Sequence, residues 1–160
     1  MKRILLCALA LAATVSCAGN AIAQILDAQE IENLLEQPEM LDNNELSLDP
    51  ATQAEQIEAM IEVVFEPLEP IIPGIVAKMT DIGVCESGLQ HLDENGNIIL
   101  NTKTKRAKGV FQIVPNPHDR TSGEMGLDTD HANTQIVYAR FLVQDRVRMG
   151  HWAYKDWVCA

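Results

Sequence analysis

Cys85-Glu86-Ser87-Gly88-Leu89-Gln90, joined across a polar interval to Gly109-Val110-Phe111-Gln112-Ile113, is the stretch around which the chain is organised. Upstream of it Ile75, Val76, Met79 and Ile82 recur at helical spacing and run into Val84. This predicts a buried helix that ends at Glu86, with Ser87-Gly88 as its stop and glycine as the left-handed cap. A glutamate so placed lies at the negative end of the helix dipole in an apolar setting. Both conditions disfavour its charged form and make Glu86 a candidate general acid. After the stop, Asp93-Glu94-Asn95-Gly96-Asn97 leads into Ile98-Ile99-Leu100 and predicts a small β-hairpin, because Asn-Gly suits the type I′ turn. A calcium loop beginning at Asp93 fails on two ligand positions: the sixth holds Ile98 instead of Gly and the twelfth Thr104 instead of Glu.

Working outward, Asp49-Pro50 reads as an N-cap followed by a proline at the first helical position. Ala54, Ile57, Ile61 and Val64, with Met60 and Phe65 beside them, form one apolar face, and Pro67 ends that helix. Pro70 and Pro73 predict an extended connection. Beyond Ile113, Pro115 and Pro117 close the apolar run, and 118–128 reads as a loop or short helix. A longer helix is predicted from Thr129 or Asp130, with Ile136, Ala139, Val143 and Val147 as its stripe, Tyr138 and Leu142 flanking, and Gly150 as its end. Trp152 to Cys159 reads as an aromatic cover clipped onto the helix of Glu86. One domain over 49–160 follows, preceded at 24–48 by an acidic stretch without aromatic residues that reads as a flexible tether. A small docked helix is the alternative there.

Residues 1–23 read as a signal peptide: Lys2 and Arg3, an apolar run from Ile4 to Val15, then Ala21-Ile22-Ala23. The expected address is periplasmic or extracellular, and Cys17, after Thr14-Val15-Ser16, leaves a lipoprotein as the alternative. No stretch is long and apolar enough to predict a transmembrane helix in the mature chain. Without Lys2 and Arg3, 10 basic residues face 23 acidic ones, a formal net charge of −13. That balance argues against nucleic acid as a partner, since phosphate contacts need clustered Lys and Arg, and the Lys103 to Lys108 cluster is short. The mature chain keeps Cys85 and Cys159, an even pair that predicts a disulfide in an oxidising compartment, with two buried free thiols as the alternative.

The histidines, His91, His118, His131 and His151, lack the spacing of a metal site, so neither a metal nor another cofactor is expected. A serine hydrolase elbow is absent, and Cys85 as a nucleophile would compete with the expected disulfide. Glu86 remains. Glu86-Ser87-Gly88 at a helix end, Gly109-Val110-Phe111-Gln112-Ile113 after a hairpin, Gly126-x-Asp128 and Ile136-x-Tyr138-Ala139 together resemble the soluble lytic transglycosylase and goose-type lysozyme superfamily over residues 74 to 159. The chain departs from that pattern at Gln135, where the family has Asn, at Phe111 in place of Met, and in lacking the downstream Ala-Tyr-Asn-Ala-Gly motif. The resemblance implies an α+β, mainly α, lysozyme-like domain with a small β-hairpin. It implies peptidoglycan as partner and cleavage of the β-1,4 link between N-acetylmuramic acid and N-acetylglucosamine by Glu86 alone. Ser87 would orient Glu86 or the substrate's acetamido group, Gln112 would bind the glycan and Tyr138 would line the cleft. The plainer roles are a helix-end hydroxyl for Ser87, an amide satisfying backbone groups for Gln112 and core packing for Tyr138. A hydrolytic lysozyme, or a non-catalytic peptidoglycan-binding module of the same fold, is the alternative function.

Overall fold

The computed structural model describes residues 26–103, 105–157 and 159. The signal segment and Cys17 lie outside these residues. The architecture is mainly helical: α1 (Ala28–Leu35), α2 (Pro50–Phe65) with a 3-10 turn at Glu66–Leu68, α3 (Ile75–Ser87), α4 (Pro115–Glu124) and α5 (Ala132–Arg148). α2 packs against both α3 and α5, and α1 packs against α5.

α2 forms where the spacing places it. The Asp49 carboxylate accepts from the Thr52 N–H at 3.0 Å and from the Thr52 hydroxyl at 2.8 Å, bonds that hold its pKa below the usual carboxylate value. Ile57, Met60, Ile61, Val64 and Phe65 are completely buried. α3 is capped from a distance. Glu69 accepts from the N–H groups of Gly74 (2.8 Å) and Val76 (3.0 Å), setting a carboxylate at the positive end of the helix. Ile75, Met79 and Ile82 fill the core beneath it.

α5 starts at Ala132, with His131 at the N-cap, slightly later than the sequence predicts. It is the most enclosed helix. Apolar Ile136, Val137, Tyr138, Ala139 and Val143 are all completely buried, as is polar Gln135, while Arg140 is 3 % exposed. Arg146 and Arg148 lie in its last turn, where cations face the negative end of the dipole.

Two expectations are corrected. The acidic stretch before α2 is not a free tether: Leu26, Ile31, Leu34, Met40 and Leu46 are buried in the common core, so the docked helix is what forms. Its apolar residues suffice because they join an existing core, and Arg140, deep in α5, pairs with Glu30 of α1 and donates to the Val64 carbonyl at 3.1 Å. The β-hairpin is also absent among the described residues. The turn itself forms, with the Asp93 carboxylate accepting from the N–H groups of Asn95 (2.9 Å) and Asn97 (2.8 Å) and Gly96 at φ +77°. Its flanks make only isolated antiparallel bridges, Leu92 to Ile98, Leu100 to Lys108 and Lys108 to Ile113. Side-chain clamps replace the ladder that longer strands would supply.

The C-terminal cover is half as predicted. Trp157 is buried, with its ring edge-on to Phe111 at 5.9 Å and its indole N–H donating to the Phe111 carbonyl at 3.1 Å. Trp152 is 58 % exposed. Arg146 grips Asp156 through two hydrogen bonds of 2.8 and 2.9 Å, and the Cys85 and Cys159 sulfurs are bonded, at 2.10 Å.

Candidate active site

The end of α3 is a left-handed glycine cap. Gly88, at φ +70°, donates to the Val84 carbonyl at 2.8 Å, and Leu89 reaches back to the Gly83 carbonyl at 3.1 Å. Gly83 admits the neighbours this cap brings in: a methyl group there would lie 2.7 Å from Leu89 Cδ2 and 3.6 Å from Val110 Cγ1. Val110 belongs to the 109–113 turn. The two halves of the motif, 19 or more residues apart in sequence, therefore meet beside Gly83, one helical turn before Glu86.

Glu86 is half-buried, flanked by Cys85 and by Val84, which is 53 % exposed. Its setting is thus more open than the apolar sequence around it predicts, because α3 turns Val84 and Cys85 outward in its last turn. The Glu86 carboxylate makes no hydrogen bond or ion pair among the described residues. Ser87 takes the plainer of its two roles. Its hydroxyl donates to the Gly83 carbonyl and accepts from the Gln90 N–H, both at 3.2 Å, and it does not touch Glu86.

Gln112 adopts φ +48°, a left-handed conformation that costs a non-glycine residue about 1 kcal/mol. Its amide nitrogen donates to the Gly109 carbonyl at 2.8 Å, while its buried amide oxygen has no partner. One end of the amide thus stabilises the turn, and the other is enclosed without a partner. Tyr138 is fully buried, its ring stacked on Phe141 at 5.7 Å and its hydroxyl 2.9 Å from His118 Nδ1. Burial pushes its pKa up to about 12. The packing role is the observed one, and a fully enclosed ring presents no surface to a cleft.

Beneath the 109–113 turn lies a set of clamps that the sequence did not announce. The Gln135 amide oxygen accepts from the Phe111 N–H at 3.1 Å, and its nitrogen donates to the carbonyls of Lys108 (3.2 Å) and Thr129 (2.9 Å). Gly109, at φ +70°, is indispensable here: a Cβ would come within 2.5 to 2.7 Å of the Gln135 amide and of His91 Nδ1. His91 is completely buried, with Nε2 2.9 Å from the Asp130 carbonyl. A carbonyl can only accept, so Nε2 carries the proton, and burial pushes the His91 pKa down. Gln53 of α2 completes the set, accepting from the N–H groups of His91 (2.6 Å) and Leu92 (3.0 Å). The signal that would have found these residues is a glutamine at an interior position of an apolar helical face, which applies to Gln53 and Gln135.

A pocket of about 340 Å³ opens near Asp119, Gly126 and Asp128, with Lys108 between Asp119 and Asp130 at its edge. Glu86 is not among its lining residues. No group of three or more His, Cys, Asp or Glu side chains among the described residues is arranged to hold a metal ion. No described helix is long and apolar enough to cross a membrane. Compared with protein-family models, curated proteins and solved structures, the chain matches none.

Proposed function

We propose that the protein is a peptidoglycan lytic transglycosylase of lysozyme-like fold, exported to the cell wall, with Glu86 as its single acid and base. The observation that carries this reading is the unengaged, half-buried carboxylate of Glu86 at a rigidly capped helix end, beside the turn that holds Gln112. Carboxylates elsewhere in partly buried settings are mostly bound, as Asp156 is by Arg146 and Glu30 by Arg140. A carboxylate free of protein partners, on a fixed backbone, is suited to meet a ligand.

Glycoside cleavage ordinarily uses two carboxylates. With one, the substrate must supply the second group. Glu86 donates its proton to the glycosidic oxygen as the C–O bond breaks, and the carbonyl oxygen of the 2-acetamido group bonds to the anomeric carbon. Glu86, now a carboxylate, accepts the proton of the sugar's 6-hydroxyl as that oxygen displaces the acetamido oxygen, which leaves a 1,6-anhydro end. Water in place of the 6-hydroxyl gives hydrolysis.

Incubation of the mature protein with purified sacculi tests the reading. Release of soluble muropeptides with anhydro ends is expected. Co-sedimentation without release would replace the enzyme with a binding module, and hydrated ends would make it a hydrolase.

A further inference from the structure

The negative charge of the chain is not spread along it. Residues 24–77 carry 13 of the 23 acidic residues and no Lys, Arg or His, while residues 78–160 carry 10 acidic and 10 basic residues and are formally neutral. The excess therefore sits on α1, α2 and the segments beside them. On α2, Glu55, Glu58, Glu62 and Glu66 recur at spacings of three and four and share one side of the helix. All four are exposed, and none makes a side-chain hydrogen bond or ion pair among the described residues. Ile57, Met60, Ile61 and Val64 occupy the opposite, buried side. Like charges four residues apart repel, Glu62 and Glu66 stand at the negative end of the helix dipole, and the last turn holds no basic residue to offset them. This stripe runs into a groove between α1 and the end of α2. A cavity of about 350 Å³ opens there, with Leu34, Val63 and Pro67 as apolar walls, Glu30 and Glu66 as acidic ones, and Arg140 beside them. The Arg140 side chain is 4 % exposed, and although it pairs with Glu30 and with the Val64 carbonyl, its Nε has no partner.

We propose that this face receives a basic segment of a partner protein, an amphipathic helix whose Lys or Arg residues meet Glu58, Glu62 and Glu66 while an apolar side chain enters the cavity against Leu34, Val63 and Pro67. The surface lies on α1 and α2 and does not involve Glu86. Charge selects the occupant. A nucleic acid or an anionic lipid surface is repelled. A second copy of the chain brings either the same acidic face or a half with no net charge. A cationic helix matches the spacing, because its residues at i, i+4 and i+8 line one side as the glutamates line α2. The stripe from Glu55 to Glu66 is about 17 Å long, so a helix of four or five turns covers both it and the cavity. Arg140 is left one acceptor short by the protein's own groups and lines the cavity, so a carbonyl carried in beside the apolar side chain answers it.

Titration of the full mature protein with two synthetic helical peptides of about 18 residues tests this, one carrying Lys at i, i+4 and i+8 with a Leu one turn beyond, the other carrying Glu in place of Lys. At about 20 mM salt the Lys peptide is expected to bind wild type about tenfold more tightly than the triple variant Glu58→Gln, Glu62→Gln, Glu66→Gln, as three exposed ion pairs give. At about 0.5 M salt the difference should shrink to about twofold or less. The variant Asp81→Asn, Glu94→Gln, Glu124→Gln removes the same charge from the formally neutral half and should bind within about twofold of wild type. Equal weakening by the two variants would trace the attraction to net charge alone and overturns the proposal, as does equal binding of the Glu peptide or no binding of the Lys peptide. Wild type itself supplies a readout that needs no variant to fold. The amide resonances of Leu34, Val63 and Glu66 and the Nε–H resonance of Arg140 should shift with the Lys peptide, and shifts confined to other residues overturn the site. Concentration-dependent shifts at these residues without peptide would assign the face to a second copy and overturn it as well.

Discussion

The last turn of α3 and the amide clamps beneath the 109–113 turn carry polar side chains of similar size on neighbouring backbone, and they use them in opposite ways. Gln135 makes three hydrogen bonds to main chain and Gln53 accepts two more, so each stabilises a loop that lacks a strand ladder. Glu86 makes none. The difference teaches how to sort polar residues from geometry: a buried side chain whose atoms are all engaged by backbone explains the fold, and one left unengaged at a fixed position is where chemistry is to be tested.

The sharpest way to break that division is Glu86→Gln. Muropeptide release should fall by about 10²- to 10⁴-fold, the usual contribution of a positioned general acid, while thermal stability stays within about 0.5 kcal/mol of wild type. A large loss of stability instead would move Glu86 to the structural side. Next in size is the covalent tie beside it. Replacing both Cys85 and Cys159 by serine opens a loop with a sequence separation of 74 and should reduce stability by up to about 4 kcal/mol in denaturant titrations under oxidising conditions.

Gln135→Ala sharpens the other side of the comparison. It strands the Phe111 N–H and two carbonyls, and a loss of about 2 to 3 kcal/mol is expected. Activity per folded molecule should suffer less than in Glu86→Gln. The smallest effect is a pH slope. Burial lowers the folded-state pKa of His91, so between that value and about 6.5 the unfolded chain binds more proton. Stability from this group is complete above the unfolded pKa and declines as pH falls through the window, by at most about 1.4 kcal/mol per pH unit. Melts at pH 8 and pH 5.5 should show the slope in wild type and a flatter one in His91→Gln.

How much of this was legible beforehand follows the range of the interactions. α2 and α3 were readable because their caps and apolar spacing are local, and so was the glycine stop after Ser87. α5 was placed by its stripe, but enclosure on nearly every side by α1, α2 and the 109–113 turn cannot be read from a one-face pattern. The docking of α1 depends on Arg140, which is 110 residues from Glu30. Gln53 and Gln135 were missed for the same reason, since their partners lie across the fold. In the candidate site, the position of Glu86 at a helix end was legible. Its openness, the backbone-bound hydroxyl of Ser87 and the burial of Tyr138 depend on which way each helix faces its neighbours, which spacing alone leaves undetermined.

The bond between Cys85 and Cys159 also sets the topology of damage. It closes a ring that contains Glu86, the 109–113 turn, α4 and α5, and leaves α1 and α2 outside. The exposed residues Thr102, Lys103, Lys105 and Arg106, the kind of loop tip that proteases cut first, lie within that ring. A single nick there severs the chain yet releases nothing: both new ends stay attached through the disulfide, and Gln135 still holds the turn against α5. The protein can thus be cleaved once at this exposed loop and remain one molecule.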